Sequence, residues 1–312
     1  MSRSITQLIP LRLITGFLGA GKTTLMKNIL NGSADDKVGI IVNEFGEMGM
    51  DGALLKRGNV KIAELTNGSI FCSCIKENFL ESLVDMSRQD ISVLFIEASG
   101  LADPSEMGRI LEAVTTMLYK SYDYRGSVCV VDALTFPELS DILPALTGQV
   151  QYCDVAIINK ADLVDLSRIR MVAQMITRIN SSCEIIVTSH CQVDVHGLLN
   201  RSPIVERVTG ESTNTPQTRP STVVLKSKGV IPIEALRKFI NVLSPYAYRI
   251  KGFLPTDSGI VAANAVAGHV NITPWTGDEP AYGLVVISSV GISIISRITQ
   301  GLEGELKTKL CM

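Results

Sequence analysis

The chain has 312 residues, 46% of them hydrophobic, which is enough for two domains with substantial cores. A net charge of −2 without a basic cluster excludes a nucleic-acid partner held by bulk electrostatics. The first ten residues lack the apolar stretch of a secretion signal and no apolar run reaches membrane-spanning length, so a cytoplasmic protein without membrane attachment is expected, its seven cysteines mostly free thiols.

The apolar run 11–15 predicts a strand, and 24–30 predicts a helix with Leu25/Ile29 and Met26/Leu30 at i,i+4. Between them, Gly16-Phe17-Leu18-Gly19-Ala20-Gly21-Lys22-Thr23-Thr24 fits G-x-x-x-x-G-K-S/T. Strand, glycine-rich loop and helix are the setting of a phosphate-binding loop. Backbone N–H groups from Gly19 to Thr24 close around phosphate oxygens, and the helix N-terminus adds positive partial charge. Lys22 is expected to reach the β- and γ-phosphates, and the Thr23 hydroxyl to bind Mg²⁺.

Residues 38–42 predict a buried strand running into an acidic, glycine-rich loop, Asn43 to Gly52. This loop stands about twenty residues beyond the phosphate loop, where GTPases keep their first switch. A short strand at 60–64, a polar turn at Asn67-Gly68-Ser69, the Cys72-Ser73-Cys74 segment and a helix over 77–88 follow. The strand 91–97 ends in Glu97. An acid at that end suits Mg²⁺ binding, and the nearby Gly100 amide can sense a γ-phosphate. Pro104 opens a predicted helix through about 118.

Strands at 127–132 and 154–159 come next, the second running into Asn159-Lys160-Ala161-Asp162. Guanine offers N1–H and an exocyclic amine side by side, which one carboxylate such as Asp162 can accept together; adenine has no such pair. Asn159 is expected to fix the loop and the Lys160 stem to cover the base. A last strand at 184–188 leads to Ser189, a candidate for supporting the base edge. Each motif closes a predicted strand. In an α/β fold the ligand lies beyond those ends.

Composition shifts to Thr, Ser, Pro and Gly over 209–221, a linker. The expected organisation is α/β. A P-loop NTPase domain over 1–208 has a mostly parallel sheet with helices on both faces. A smaller α+β domain over 222–312 has strands near 222–225, 246–254, 259–263 and 284–288 and helices at 233–243 and from about 292.

The motifs at Gly16 to Thr23, Asn43-Glu44-Phe45-Gly46-Glu47, Glu64-Leu65-Thr66-Asn67-Gly68, Glu97 to Pro104, Asn159 to Asp162 and Lys251-Gly252-Phe253 resemble, in order and over nearly the whole chain, the CobW family of cobalamin-synthesis-type GTPases. That family is grouped with the GTPases that insert nickel into urease and hydrogenase. The resemblance implies Mg²⁺-dependent, slow GTP hydrolysis, with catalytic duty on Lys22, Thr23 and Glu97. It further implies a metallochaperone that hands a metal, or a metal-bearing cofactor, to a client metalloprotein or corrinoid protein, and a homodimer is compatible with it. Glu44, Glu47 and Asp51 are all candidates for orienting the attacking water.

One departure bears on cargo. The family commonly reads Cys-x-Cys-Cys after Asn-Gly, whereas this chain has Ser69, Phe71 and Cys72 there, with Cys74 added. Cys72 and Cys74, with Glu47 as a third ligand, form a candidate site for Zn²⁺, Co²⁺ or Ni²⁺. The alternative is a pair of packed, inert thiols. On that alternative the protein is a metal-independent, GTP-driven chaperone or reactivator of a client such as a cobalamin-dependent enzyme. A module that holds nucleotide without hydrolysis is the third reading. His190, His196 and His269 form no metal-binding tract.

Overall fold

The computed structural model describes residues 8–33, 36–42, 60–65, 76–98, 100, 104–140, 143–200, 220–266, 268–277, 282–302, 304 and 306–312. The chain divides into two compact units, 1–218 and 219–312. Most of the expected linker, 209–219, lies outside the described residues.

In the first unit seven strands form one sheet: β1 (Ile9–Gly16), β2 (Val38–Val42), β3 (Val60–Glu64), β4 (Val93–Glu97), β5 (Tyr122–Asp132), β6 (Val155–Asn159) and β7 (Glu184–Val187). Their spatial order is β3-β2-β4-β1-β5-β6-β7, and every pairing is parallel. Strands covered on both faces read as unbroken apolar runs, as in β2 and β4, where all five residues are buried.

Successive side chains nevertheless go to opposite faces. Ile40, Val42, Val93 and Phe95 join one core cluster, while Ile41, Leu94 and Ile96 join the other. The first cluster takes Leu25, Met26, Ile29 and Leu30 from α1 (Lys22–Gly32). The second takes Phe79, Leu83 and Met86 from α2 (Lys76–Arg88), and Met107, Ile110 and Val114 from α3 (Met107–Val114). Both helices show i, i+3/i+4, i+7 spacing, one apolar stripe each. Fully burying a side chain such as Phe79 contributes roughly 1.5–3 kcal/mol.

Some elements differ from expectation. β5 begins at Tyr122, five residues before the apolar run, because its first half pairs with Ile9 to Leu11 of β1. The expected helix from Pro104 starts and ends as single 3₁₀ turns around α3. Among the described residues, further helices follow strands: α4 (Phe136–Ser140), α5 (Pro144–Gln151), α6 (Leu166–Ile179) and α7 (Val195–Asn200).

The second unit is a six-stranded antiparallel sheet, order β11-β10-β9-β12-β8-β13, built from β8 (Thr222–Ser227), β9 (Ala247–Thr256), β10 (Gly259–Val266), β11 (His269–Pro274), β12 (Gly283–Ser288) and β13 (Leu310–Cys311). Among the described residues this unit also holds α8 (Ile233–Leu243), α9 (Ile294–Gly301) and α10 (Leu306–Lys309). Leu236, Phe239, Ile240 and Leu243 of α8 pack with Ile294 and Ile298 of α9 against the sheet. Gly252 has a packing reason: a Cβ there would sit 1.8 Å from the Gly283 carbonyl oxygen across the β9–β12 pair. Beside it, Phe253 stacks at a tilt on Trp275, with centroids 4.7 Å apart.

Candidate functional site

Strand order reverses at β1. Its neighbours are β4 on one side and β5 on the other, so the space beyond its C-terminal end is where an open α/β sheet leaves a crevice. Register places Ile14 level with Glu97, Gly16 with Val130, and Asp132 with Asn159. Glu97, Asp132 and Asn159 therefore close β4, β5 and β6 at one rim of the sheet.

The loop leaving β1 turns on Gly16, Gly19 and Gly21, with φ of 135°, 76° and 118°. Those values favour glycine. Two of the positions are also sterically closed. A Cβ on Gly16 would lie 2.3 Å from the Val130 carbonyl oxygen, and one on Gly21 would lie 2.4 Å from Asn159 Nδ2. The loop thus lies against β5 and β6, and α1 begins directly after it. Lys22 is buried, and its Nζ donates to the carbonyls of Gly16 at 2.9 Å and Phe17 at 3.2 Å. Thr23 Oγ1 donates to Glu97 Oε1 at 3.3 Å, which brings a hydroxyl and a carboxylate together at the root of the loop. Thr24 continues the first turn of α1.

Asn159 is 3% exposed and holds two chain segments at once. Its Nδ2 donates to the Ala20 carbonyl at 2.8 Å, and its Oδ1 accepts from the Cys191 N–H at 2.9 Å. Lys160 adopts φ 62° and donates from Nζ to Asp132 Oδ2 at 2.5 Å, a carboxylate only 4% exposed that also accepts from the Leu134 N–H. The Asp162 N–H donates to Ser189 Oγ at 3.1 Å, while the Asp162 side chain is half exposed, with His190 Nε2 4.0 Å from its Oδ2.

Ser189 leads into a strained turn in which His190 and Cys191 have φ of 53° and 51°. The Asn28 amide from α1 donates to both their carbonyls, at 2.9 and 2.8 Å. The Cys191 thiol lies 3.4 Å from the Gly21 carbonyl oxygen, and burial pushes its pKa up to about 12. Gly100, on the loop after β4, accepts through its carbonyl from buried Gln149 at 3.2 Å.

Gly19, Ala20, Gly21, Lys22, Thr23, Thr24, Glu97, Asn159, Lys160, Asp162 and Ser189 therefore stand at one rim. Glu47, Cys72 and Cys74 lie outside the described residues, as do Glu44, Asp51 and the Asn67-Gly68 turn. Among the described residues, no group of three or more His, Cys, Asp or Glu side chains is arranged to hold a metal ion.

Sequence reasoning passed over Asp132, Asn28 and Gln149. Asp132 carried a signal, an acid ending an apolar run as Glu97 does. Asn28 and Gln149 carried none, since their partners lie 162 and 49 residues away.

Residues 10–187 match a family model described as CobW/HypB/UreG, nucleotide-binding domain. The chain is 33% identical over 199 residues to the zinc chaperone YjiA of Escherichia coli (strain K12), covering 62% of this chain and 61% of that one. It is 30% identical over 195 residues to the zinc-regulated GTPase metalloprotein activator 1 of Schizosaccharomyces pombe, covering 60% of this chain and 47% of that one. The match thus spans less than two thirds of either curated relative. A crystal structure of a Zn(II)-bound triple mutant of YjiA GTPase superposes with a TM-score of 0.50 at 23% identity, over 95% of this chain and 99% of that one, a likeness of fold. No described helix is long and apolar enough to cross a membrane.

Proposed function

The chain belongs to the CobW/HypB/UreG family, and from that membership we propose that it binds GTP with Mg²⁺, hydrolyses it slowly, and couples the change to delivery of a metal to a client protein. The observation that carries the reading is the pair of hydrogen bonds made by the Asn159 side chain, which ties the phosphate loop at Ala20 to the turn at Cys191. The residues suited to phosphate and those suited to a guanine base are thereby held as one rigid rim.

On this reading the loop amides from Gly19 to Thr24 and the Lys22 ammonium bind the phosphates. Asp162 accepts the guanine N1–H and exocyclic amine together, Lys160 lies along the base with its charge fixed by Asp132, and Ser189 holds the Asp162 backbone. The Thr23 hydroxyl and Glu97 carboxylate, 3.3 Å apart, are the oxygen pair a hard dication selects. Bound Mg²⁺ supplies neutralisation of the charge that develops on the phosphates. Water attacks the γ-phosphorus, the bond to the bridging oxygen breaks, and GDP and orthophosphate leave. The loop amides favour this step because the glycine-set backbone holds them in place before the charge develops, and the Lys22 ammonium, anchored on the Gly16 and Phe17 carbonyls, adds positive charge beside them. Glu44, Glu47 and Asp51 remain the candidates for orienting the water, and a client or a second copy of the chain completes the site.

The name of the fission-yeast relative, a metalloprotein activator, supports a metalloprotein client, and the name zinc chaperone supports zinc as cargo ahead of cobalt or nickel. Cys72, Cys74 and Glu47 are the donors the sequence offers for it. Ser69 and Phe71, standing where the family usually has cysteine, favour a second reading: a GTP-driven chaperone that carries no metal and acts on a client such as a corrinoid enzyme.

Calorimetric titration with GDP and ADP tests the nucleotide. GDP is expected to bind at least 100-fold tighter than ADP, and Asp162→Asn to erase most of that preference. Equal affinity for the two nucleotides in the parent chain overturns the assignment. Zinc titration of the parent against Cys72→Ser/Cys74→Ser separates the two readings, because an unchanged zinc affinity removes the thiol site and leaves the metal-free chaperone.

A further inference from the structure

Two cysteines stand at the end of the parallel sheet away from the phosphate loop, and a third, Cys129, lies further along β5, level with Thr15 of β1. Cys153 ends the turn into β6 and Cys183 ends the turn into β7. The Sγ atoms of Cys153 and Cys183 are 3.2 Å apart. Cys153 is fully buried, Cys129 is 2% exposed and Cys183 reaches the surface in part.

Both turns are held firmly. The Asn180 amide donates to the carbonyls of Val150, Gln151 and Cys153 at 3.0, 3.2 and 2.9 Å, and the Cys183 N–H donates to the Asn180 carbonyl at 3.3 Å. The Asp154 N–H is bound to Ser127 and the Glu184 N–H to Asp154, which fixes the two strand starts against each other. Contacts from the Cys129 and Cys183 thiols, with burial, hold the Cys153 thiol protonated well above its ordinary range.

This is poor geometry for a metal. Two thiolates on one tetrahedral zinc stand about 3.8 Å apart, given a Zn–S bond of about 2.3 Å, and among the described residues no group of three His, Cys, Asp or Glu is arranged to hold a metal ion here. The sulfurs have only about 1.2 Å to close to reach the S–S bond length of about 2.0 Å. In a reducing compartment, a dithiol in that position is the kind that senses oxidants rather than staples the fold.

We propose that Cys153 and Cys183 are an oxidation site that closes to a reversible disulfide, with hydrogen peroxide as the oxidant. The part-exposed Cys183 sulfur attacks the peroxide, the O–O bond breaks, and Cys183 becomes a sulfenic acid as one water leaves. The Cys153 sulfur then attacks the sulfenic sulfur, the S–O bond breaks, and the Cys153 proton leaves with the hydroxyl as a second water. Overall, two thiols and one peroxide give one disulfide and two waters; the sulfurs lose two electrons and the peroxide gains them. A thiol reductant restores both cysteines by exchange. The crosslink encloses β6 and α6, the segment whose far end carries Asn159 to Asp162. The site is independent of the nucleotide reading.

The test is peptide mapping of the full chain after hydrogen peroxide, with free thiols blocked before digestion. Trypsin with a glutamate-specific protease cuts after Glu138 and Glu184 as well as after Lys and Arg, so Cys129, Cys153, Cys183 and Cys191 fall on separate peptides. The expected product is a linked 153–183 peptide pair, 2 Da lighter than the sum of its parts, lost on addition of dithiothreitol. It persists in Cys129→Ser, and in Cys183→Ser it is replaced by a reduced Cys153. A Cys129–Cys153 link, or Cys153 and Cys183 both staying reduced while exposed thiols are oxidised, overturns the proposal.

Discussion

Removing the Asn159 side chain measures how much of the rim it holds. In Asn159→Ala, the Ala20 carbonyl and the Cys191 N–H lose their shared partner, and both residues are fully buried. A buried polar group left without a partner costs about 1–3 kcal/mol, so the pair should cost about 2–6 kcal/mol. The lone tryptophan, Trp275, belongs to the second unit, so its fluorescence does not follow the segment at risk. Native-state hydrogen exchange read on peptides from β1, α1 and β6 does. Amides there that exchange only through unfolding should speed up roughly 30- to 20,000-fold, the free energy above converted at 1.4 kcal/mol per decade. GDP affinity should fall with it, because the loop and the turn are no longer tied. Acceleration of less than threefold in these peptides would refute the clamp, whatever happened to nucleotide binding.

Gly21→Ala places a Cβ 2.4 Å from Asn159 Nδ2 at φ 118°, so a loss of roughly 2–3 kcal/mol in stability is expected by chemical denaturation; a neutral result would mean that the loop shifts freely. Lys160→Met should destabilise more than Asp132→Asn in thermal melts. The first leaves a carboxylate that is 4% exposed without its cation, a loss of about 3 kcal/mol, and the second leaves a lysine free to turn to solvent; the reverse order would contradict the pairing. Alkali should weaken the fold through Cys191. Its folded pKa of about 12 stands above the ordinary 9.0, so the unfolded chain gives up the proton first. The contribution is complete below pH 9 and lost as pH rises from there towards 12, about 4 kcal/mol in all. Denaturation of Cys191→Ala across that range should show a shallower decline than the parent, and parallel curves would refute the shift.

Much of the fold was legible because its signals are local. β2 and β4 announce themselves as unbroken apolar runs, since a central parallel strand is covered on both faces. α6 was harder to read: only Val172 and Ile176 are buried, while Leu166 and Met171 are exposed and blur its period. The edge strand β11 buries no residue fully and packs only Val270 and Ile272 on the core, so its alternation spans two apolar positions before Pro274 and is a weak signal. At the site, the loop glycines, Lys22, Thr23, Glu97 and Asn159 to Asp162 stood out by spacing and by position at strand ends.

The sequence by itself determined which residues gather at the rim. A parallel sheet sends every strand's C-terminal end the same way, and those residues sit at those ends. Only the tertiary structure decided how they are held there. Asn159 reaches Ala20 across 139 positions, Asn28 reaches Cys191 across 163, Asp132 receives Lys160, and Cys153 meets Cys183. Such contacts leave no periodic trace in the chain, because each depends on two distant segments arriving at one place, and arrival is set by strand order and packing rather than by any pattern along the backbone.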